Sequence, residues 1–167
     1  MIKSGDLLDQ ARTLLGTKKG APRQADLRRA VASAHYAVFH HLVRSCADHI
    51  AGKSRRKTAE YRLVYRSFQH SHLRSICDEA KKTSLPARLT TACGLGSFGT
   101  ELRECAELFI TLQDTRHAAD YDPQERFSKL LAEQLITDAV TAILRFEAAP
   151  EQERRALIYL FSFRLRQ

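Results

Sequence analysis

Hydrophobic residues recur at three- and four-residue spacing along most of the chain, which is the pattern of amphipathic helices. The first such segment follows Ser4, a good N-terminal cap, and ends at Gly16. A longer segment covers residues 24–51 and stops at Gly52, with one apolar stripe at Leu27, Ala30 or Val31, Ala34, Val38, Leu42 and Cys46. Both segments predict helices, joined by a basic and flexible stretch at residues 17–23.

The middle of the chain predicts one further helix and then a loop. Ser54 is a suitable cap for this third helix, and Pro86 forbids its continuation. Its apolar positions are Tyr61, Val64 or Tyr65, Phe68, His72, Ile76 and Ala80. Residues 83–99 contain Pro86 and three glycines, so we expect an exposed and mobile loop there.

Two long periodic segments and a short one follow. A fourth helix is predicted over residues 100–118, and Pro123 marks the first turn of a fifth. The fifth helix carries its apolar positions at Phe127, Leu130, Leu131, Leu135, Ala139, Ala142, Ile143 and Phe146. Pro150 opens a last helix from Glu151 to about Leu165, which is too apolar to lie free in water.

These elements predict an all-α fold. The chain has only seven Gly and four Pro, most of them where periodicity stops, and its length of 167 residues suits one core. Helices joined by short turns usually pack antiparallel. We therefore expect an antiparallel four- to five-helix bundle over residues 1–149, with a short C-terminal helix in an extension, residues 150–167, that packs on the bundle or on a partner.

Composition and charge narrow the functional classes. Apolar residues make up 44% of the chain and charged residues 28%, which is a globular balance. The 27 basic against 19 acidic side chains give a net charge of +8, which favours polyanionic partners such as RNA. No apolar run approaches the ~18 residues of a membrane span, and no signal segment is evident. These features predict a cytoplasmic protein without a membrane partner.

Common catalytic and cofactor motifs are missing from the sequence. The four cysteines form no Cys-x-x-Cys pair, so we interpret them as reduced packing residues. No histidine has another histidine three or four residues away, as a helical metal site would need, and no Walker-type phosphate loop is present. We therefore predict no metal and no cofactor.

Two short motifs stand out and carry a family resemblance. Residues 34–40 read Ala-His-Tyr-Ala-Val-Phe-His, and residues 116–121 read Arg-His-Ala-Ala-Asp-Tyr at the end of the fourth predicted helix. In their order, separation and helical setting these motifs resemble the HEPN superfamily, in its branch of small proteins with an Arg-x-x-Ala-Asp-Tyr element. The resemblance spans roughly residues 1–147.

This resemblance implies a helical bundle that pairs as a homodimer and acts on RNA in a defence or toxin–antitoxin module. In RNA-cutting members an arginine stabilises the phosphorane formed when a 2′-hydroxyl attacks the adjacent phosphodiester, and a histidine transfers protons. Arg116 and the polar His117 fit that pattern, and His117 or His40 would carry the proton. The chain departs from the family where the expected histidine is replaced, since Tyr121 is followed by Asp and Pro.

Two interpretations of this motif stay open. Arg116, His117, Asp120 and Tyr121 would form a catalytic or anion-binding cleft, or Arg116 and Asp120 would form an ion pair that fixes the helix end. Tyr36 and His40 lie one turn apart on the second predicted helix. They would either join the same polar cluster or form a buried Tyr–His hydrogen bond.

The partner is equally open at this point. The run Arg55, Arg56 and Lys57 would bind phosphate or would simply be solvated. The missing histidine favours a non-catalytic dimer that serves as an interaction module for a nucleotidyltransferase or an antitoxin. The net positive charge favours RNA as the partner.

Overall fold

The chain folds into helices joined by short connections. A computed structural model describes residues 2–16 and 20–163, and within these ranges there is no strand. The helices are α1 (Ser4–Gly16), α2 (Gln24–Ala51), α3 (Ala59–Arg66), α4 (His70–Ala80), α5 (Ala87–Cys93), α6 (Thr100–Tyr121), α7 (Lys129–Ala148) and α8 (Glu151–Ser162), with a 3-10 turn at Lys53–Arg55. The predicted all-α class is therefore confirmed, with more and shorter helices than expected.

The long helix α2 lies at the centre of the fold. It packs against α1, α3, α6, α7 and α8, so most of its circumference is enclosed. Ala30, Ala34 and Ala37 are fully buried, and their small side chains allow neighbouring helices to approach closely. Polar side chains on the middle of α2 must consequently find partners inside the protein.

The third predicted helix is two helices, and this prediction was wrong. Helix α3 begins after Thr58, whose hydroxyl accepts a hydrogen bond from the amide of Tyr61 at 3.3 Å, so Ser54 is not the cap. It ends where the amide and the hydroxyl of Ser67 both donate to the carbonyl of Val64. The chain turns there and starts again at α4, which brings His70 against α2.

The predicted loop over residues 83–99 is not exposed throughout. It contains α5, and Leu85, Leu89 and Phe98 are at most 8% exposed. The amide of Leu85 donates to the carbonyl of Gly96 at 2.8 Å, which closes the segment on itself. These buried side chains anchor the connection, and α5 packs against α8.

The fifth predicted helix begins later than Pro123 suggested. Helix α7 starts at Lys129, and Ser128 caps it by accepting a hydrogen bond from the amide of Leu131 at 3.1 Å. Leu130 and Leu131, two apolar positions of the predicted helix, are 76% and 39% exposed and lie at the surface.

Two side chains from the start of α2 hold the connection between α6 and α7. The amide group of Gln24 donates to the carbonyl of Phe127 at 2.8 Å and accepts from its backbone N–H at 3.0 Å. Arg28 donates to the carbonyls of Ala119, Asp122 and Glu125 at 2.6–2.8 Å. These contacts occupy the carbonyls at the end of α6 and keep residues 122–128 out of a helix.

Helix α8 covers the bundle, as its apolar sequence suggested. Leu157, Leu160 and Phe161 are each at most 3% exposed and belong to the same core as α2. The helix ends at Ser162, whereas the predicted end near Leu165 falls outside the described residues. Across the part of the chain that the structure describes, every helix is too short or too polar to cross a membrane.

The hydrogen bonds that Arg28 donates to the end of α6 and to the following connection give a first prediction. Replacing Arg28 with Ala leaves three carbonyls without their charged donor, and we expect a loss of about 1–3 kcal/mol in the free energy of unfolding. Urea denaturation measures this loss. Arg29→Ala, an exposed neighbour on the same helix, is the matched control and should change stability by less than ~0.5 kcal/mol. Equal effects of the two variants would contradict the assigned role.

Candidate functional site

Arg116 connects α6 to the central helix. Its Nη2 donates to the hydroxyl of Tyr36 at 2.6 Å, and the guanidinium lies 5.2 Å from the centre of the Tyr36 ring. On the other side Nε lies 2.8 Å from Oδ2 of Asp120, one turn further along α6. This contact is an ion pair without hydrogen-bond alignment, because Nε has no hydrogen-bond partner among the described residues. Arg116 is thus held from both sides, with 17% of its side chain exposed.

Tyr36 and His40 do share a face of α2, but they do not bond to each other. Their ring centres are 6.1 Å apart, and Nδ1 of His40 instead lies 2.8 Å from the hydroxyl of Tyr65 on α3. The His40 and Tyr65 rings are nearly parallel, at 5.9 Å. Sequence reasoning placed Tyr36 and His40 near Arg116, but it missed Tyr65 as the partner of His40.

A pair of histidines lies behind this cluster, and sequence reasoning missed it as well. Nε2 of His35, which is fully buried, lies 3.2 Å from Nδ1 of His70 at the start of α4. The His70 ring stacks on Phe39, with ring centres 3.6 Å apart. The spacing of His35 and Phe39 on α2 indicates that the two side chains lie near each other. It gives no indication of His70, which reaches them because the chain turns between α3 and α4.

Burial controls the protonation of these groups. It lowers the pKa of His35 to about 3, with further contributions from His70, Arg116 and His40. It also lowers the pKa of His70 to about 4, with help from Arg116 and His40, and it lowers the pKa of His40. Burial acts to lower the pKa of Arg116, but the contacts with Tyr36 and Asp120 raise it overall. The cluster therefore holds one cation and three neutral imidazoles at neutral pH.

The outer side of the motif faces solvent. His117 and Tyr121 lie one turn apart on α6 with ring centres 4.8 Å apart, and Tyr121 is 66% exposed. The guanidinium of Arg116 lies 6.0 Å from the centre of the Tyr121 ring. Arg116, His117, Asp120 and Tyr121 therefore form one surface at the end of α6, which we call the α6-end surface.

The predicted basic residues lie elsewhere. Asp48 and Tyr36 are twelve residues apart on α2, which corresponds to about 18 Å along the helix. Arg56 pairs with the carboxylate of Asp48, which also accepts from the Tyr61 hydroxyl at 2.8 Å. Nη2 of Arg55 lies 3.6 Å from Oε2 of Glu60, and Lys57 is exposed. The structure therefore does not bring the run Arg55, Arg56 and Lys57 to Arg116.

Other reactive groups add little chemistry. Burial raises the pKa of Cys46 and Cys105 to about 12, so both remain thiols at neutral pH. Within residues 2–16 and 20–163, no three His, Cys, Asp or Glu side chains come together in a way that could hold a metal ion. The chemistry open to the α6-end surface is therefore that of one guanidinium, one exposed imidazole and one exposed phenol, with His35 buried behind it.

No protein-family model, curated protein or solved structure matches the chain. The HEPN resemblance consequently rests on the two motifs and remains a prediction.

The buried histidines predict a pH dependence of stability. In the unfolded chain these groups take up protons near their usual pKa of 6.5, whereas the folded protein resists protonation until much lower pH. The unfolded state therefore binds more protons, and stability falls as the pH falls from 7 to 5, by about 2 kcal/mol for His35 alone.

Urea denaturation at several pH values measures this slope. The double variant His35→Gln with His70→Gln should flatten it, whatever its absolute stability. The exposed control His117→Gln should keep the slope of the wild type. An unchanged slope in the double variant would show that other groups titrate.

Proposed function

We propose that the protein is a HEPN-type RNA-binding homodimer and that RNA contacts the α6-end surface. The observation that carries this proposal is the guanidinium of Arg116 held beside the exposed ring of Tyr121. RNA-binding surfaces combine cations for the phosphates with aromatic rings on which unpaired bases stack. His117, next to Tyr121, adds a second ring to the same surface.

Metal-independent cleavage is the catalytic form of this proposal. Arg116 would stabilise the charge on the phosphorane, and His117 or His40 would carry the proton. His40 is a neutral base, but its Nδ1 is engaged with Tyr65. His117 is exposed, yet Tyr121 occupies a position where the family expects a histidine. These features favour binding with weak cleavage at most.

One observation favours a second candidate, a non-catalytic interaction module. The carboxylate of Asp120 already offsets the charge of Arg116, and Nη2 of Arg116 donates a hydrogen bond to the hydroxyl of Tyr36. A structural ion pair at a helix end would have such contacts. The exposed Tyr121 would then contact a protein such as a nucleotidyltransferase or an antitoxin. The two candidates predict different effects of losing the Asp120 carboxylate: a change in RNA affinity for the first and a change in stability for the second.

Removing the carboxylate beside Arg116 separates the candidates. Asp120→Asn should strengthen binding of a single-stranded RNA oligonucleotide several-fold, because Arg116 loses its competing anion. Arg116→Ala should weaken binding about tenfold and should make it less salt-dependent. Filter binding over a salt series measures both effects, and incubation with EDTA reports metal-independent cleavage.

Asp114→Asn is the matched control for net charge. It removes the same negative charge from α6 at the ion pair with Arg74 of α4, and it should strengthen RNA binding less than Asp120→Asn because Arg74 keeps its contact with Asp78. If the wild type neither binds nor cuts RNA and Asp120→Asn melts several degrees lower, the interaction module is the better proposal.

The dimer gives a separate prediction. One α6-end surface provides only half of the symmetric cleft that the resemblance implies, so light scattering at micromolar concentration should report about twice 18.9 kDa. Tyr121→Arg should shift the protein towards monomer. Leu63→Arg, which changes an equally exposed side chain on α3, should leave the dimer intact. A wild-type monomer would remove the composite cleft.

A further inference from the structure

A cleft far from Arg116 lies between the C-terminal half of α2, the 3-10 turn and the junction of α7 with α8. Its volume is about 620 Å³, within the roughly 300–1,000 Å³ of small-molecule sites. Cationic side chains dominate its lining: Arg44, Lys53, Arg56, Arg154 and Arg155. Of the sequence motifs, only the basic run at residues 55–57 contributes to the cleft, through Arg56.

Two of the three carboxylates that line the cleft already contact other side chains. Asp48 pairs with Arg56 and accepts from Tyr61; burial acts to raise its pKa, but these hydrogen bonds lower it overall. Glu147 lies 2.7 Å from Nε2 of His41 and 4.0 Å from Arg154. The charge of Asp48 is therefore offset by Arg56, and that of Glu147 is partly offset by Arg154.

Three cations in the cleft form no ion pair with a carboxylate among the described residues, although the charge of Lys53 acts on Asp48. Lys53 and Arg155 are exposed and make no hydrogen bond or ion pair there. Arg44 contacts only a backbone carbonyl, that of Ile2, at 2.5 Å. Glu151 is the remaining carboxylate, so positive charge exceeds negative charge in the cleft.

We propose that this cleft binds a phosphate-bearing small molecule of nucleotide size, with its phosphate groups on Lys53 and Arg155 and further attraction from Arg44. Arginine and lysine are the residues that proteins use for phosphate, through charge-assisted hydrogen bonds. Phe146 and Ile158 complete the lining, but at 1% and 5% exposure they offer a ligand little apolar surface. This site does not depend on the proposed RNA function.

The shape of the cleft favours a small ligand over a nucleic acid strand. A strand is usually bound along an extended groove with exposed aromatic rings. Here Phe146 is 1% exposed, and the exposed ring of the lining, His49, already packs edge-on against Tyr159 at 5.1 Å. The cations converge on a concavity instead of following a path.

Isothermal titration calorimetry in low salt with pyrophosphate, ADP and adenosine tests the proposal. We expect pyrophosphate and ADP to bind and adenosine to bind much more weakly. Lys53→Ala and Arg155→Ala should each weaken ADP binding about tenfold, as loss of a charged hydrogen bond does. Both side chains are exposed, so the melting temperatures should not change.

Arg88→Ala is the matched control, since Arg88 is an exposed, unpaired cation on α5 outside the cleft. It should leave ADP binding unchanged. Absence of pyrophosphate and ADP binding at millimolar concentration would overturn the proposal. Equal losses in Arg88→Ala and Lys53→Ala, or binding of RNA but not of ADP, would also overturn it.

Discussion

The enclosure of α2 is the constraint on which the polar part of the structure depends. Five helices pack around it, so the polar side chains in its middle find their partners on neighbouring helices, and Nδ1 of His35 has none among the described residues. His35 is paired by α4, Tyr36 by α6 and His40 by α3. Because burial disfavours charge, the imidazoles stay neutral and the single cation, Arg116, sits at the edge of the cluster, where part of it reaches solvent.

The end of α6 is fixed by α2 at two points. Arg116 contacts Tyr36, and Arg28 takes the carbonyls of Ala119 and of the following connection. The backbone that carries the motif is therefore held at two points, while His117 and Tyr121 remain exposed and Tyr121 lies beside Arg116. A structural role for Arg116 and an exposed binding surface are thus compatible, because the contacts of Arg116 with Tyr36 and Asp120 leave both rings accessible.

The spacing of hydrophobic residues along the chain predicted the features that depend on near neighbours in the sequence. The bounds of α1 and α2 agree with the periodicity and with the glycines that end it, and the helical spacing correctly placed Asp120 against Arg116. Long-range contacts decided the rest. The break at Ser67 brings together His35 and His70, which are 35 residues apart, and the late start of α7 depends on Gln24 and Arg28, far away in the sequence. Spacing along the chain carries no signal for either.

The positive charge of the chain is not uniformly available to anions. A phosphate that approaches Arg116 meets Asp120 at 2.8 Å from the guanidinium, so it must displace that carboxylate or tolerate its repulsion, and it must also dehydrate a partly buried site. Lys53 and Arg155 are exposed and form no ion pair among the described residues, so this cost is smaller there. The net charge of the chain is +8, and the cations in the cleft beside α8 are more accessible to small anions than Arg116 is. A ligand of Arg116 would need further contacts, such as bases that stack on Tyr121.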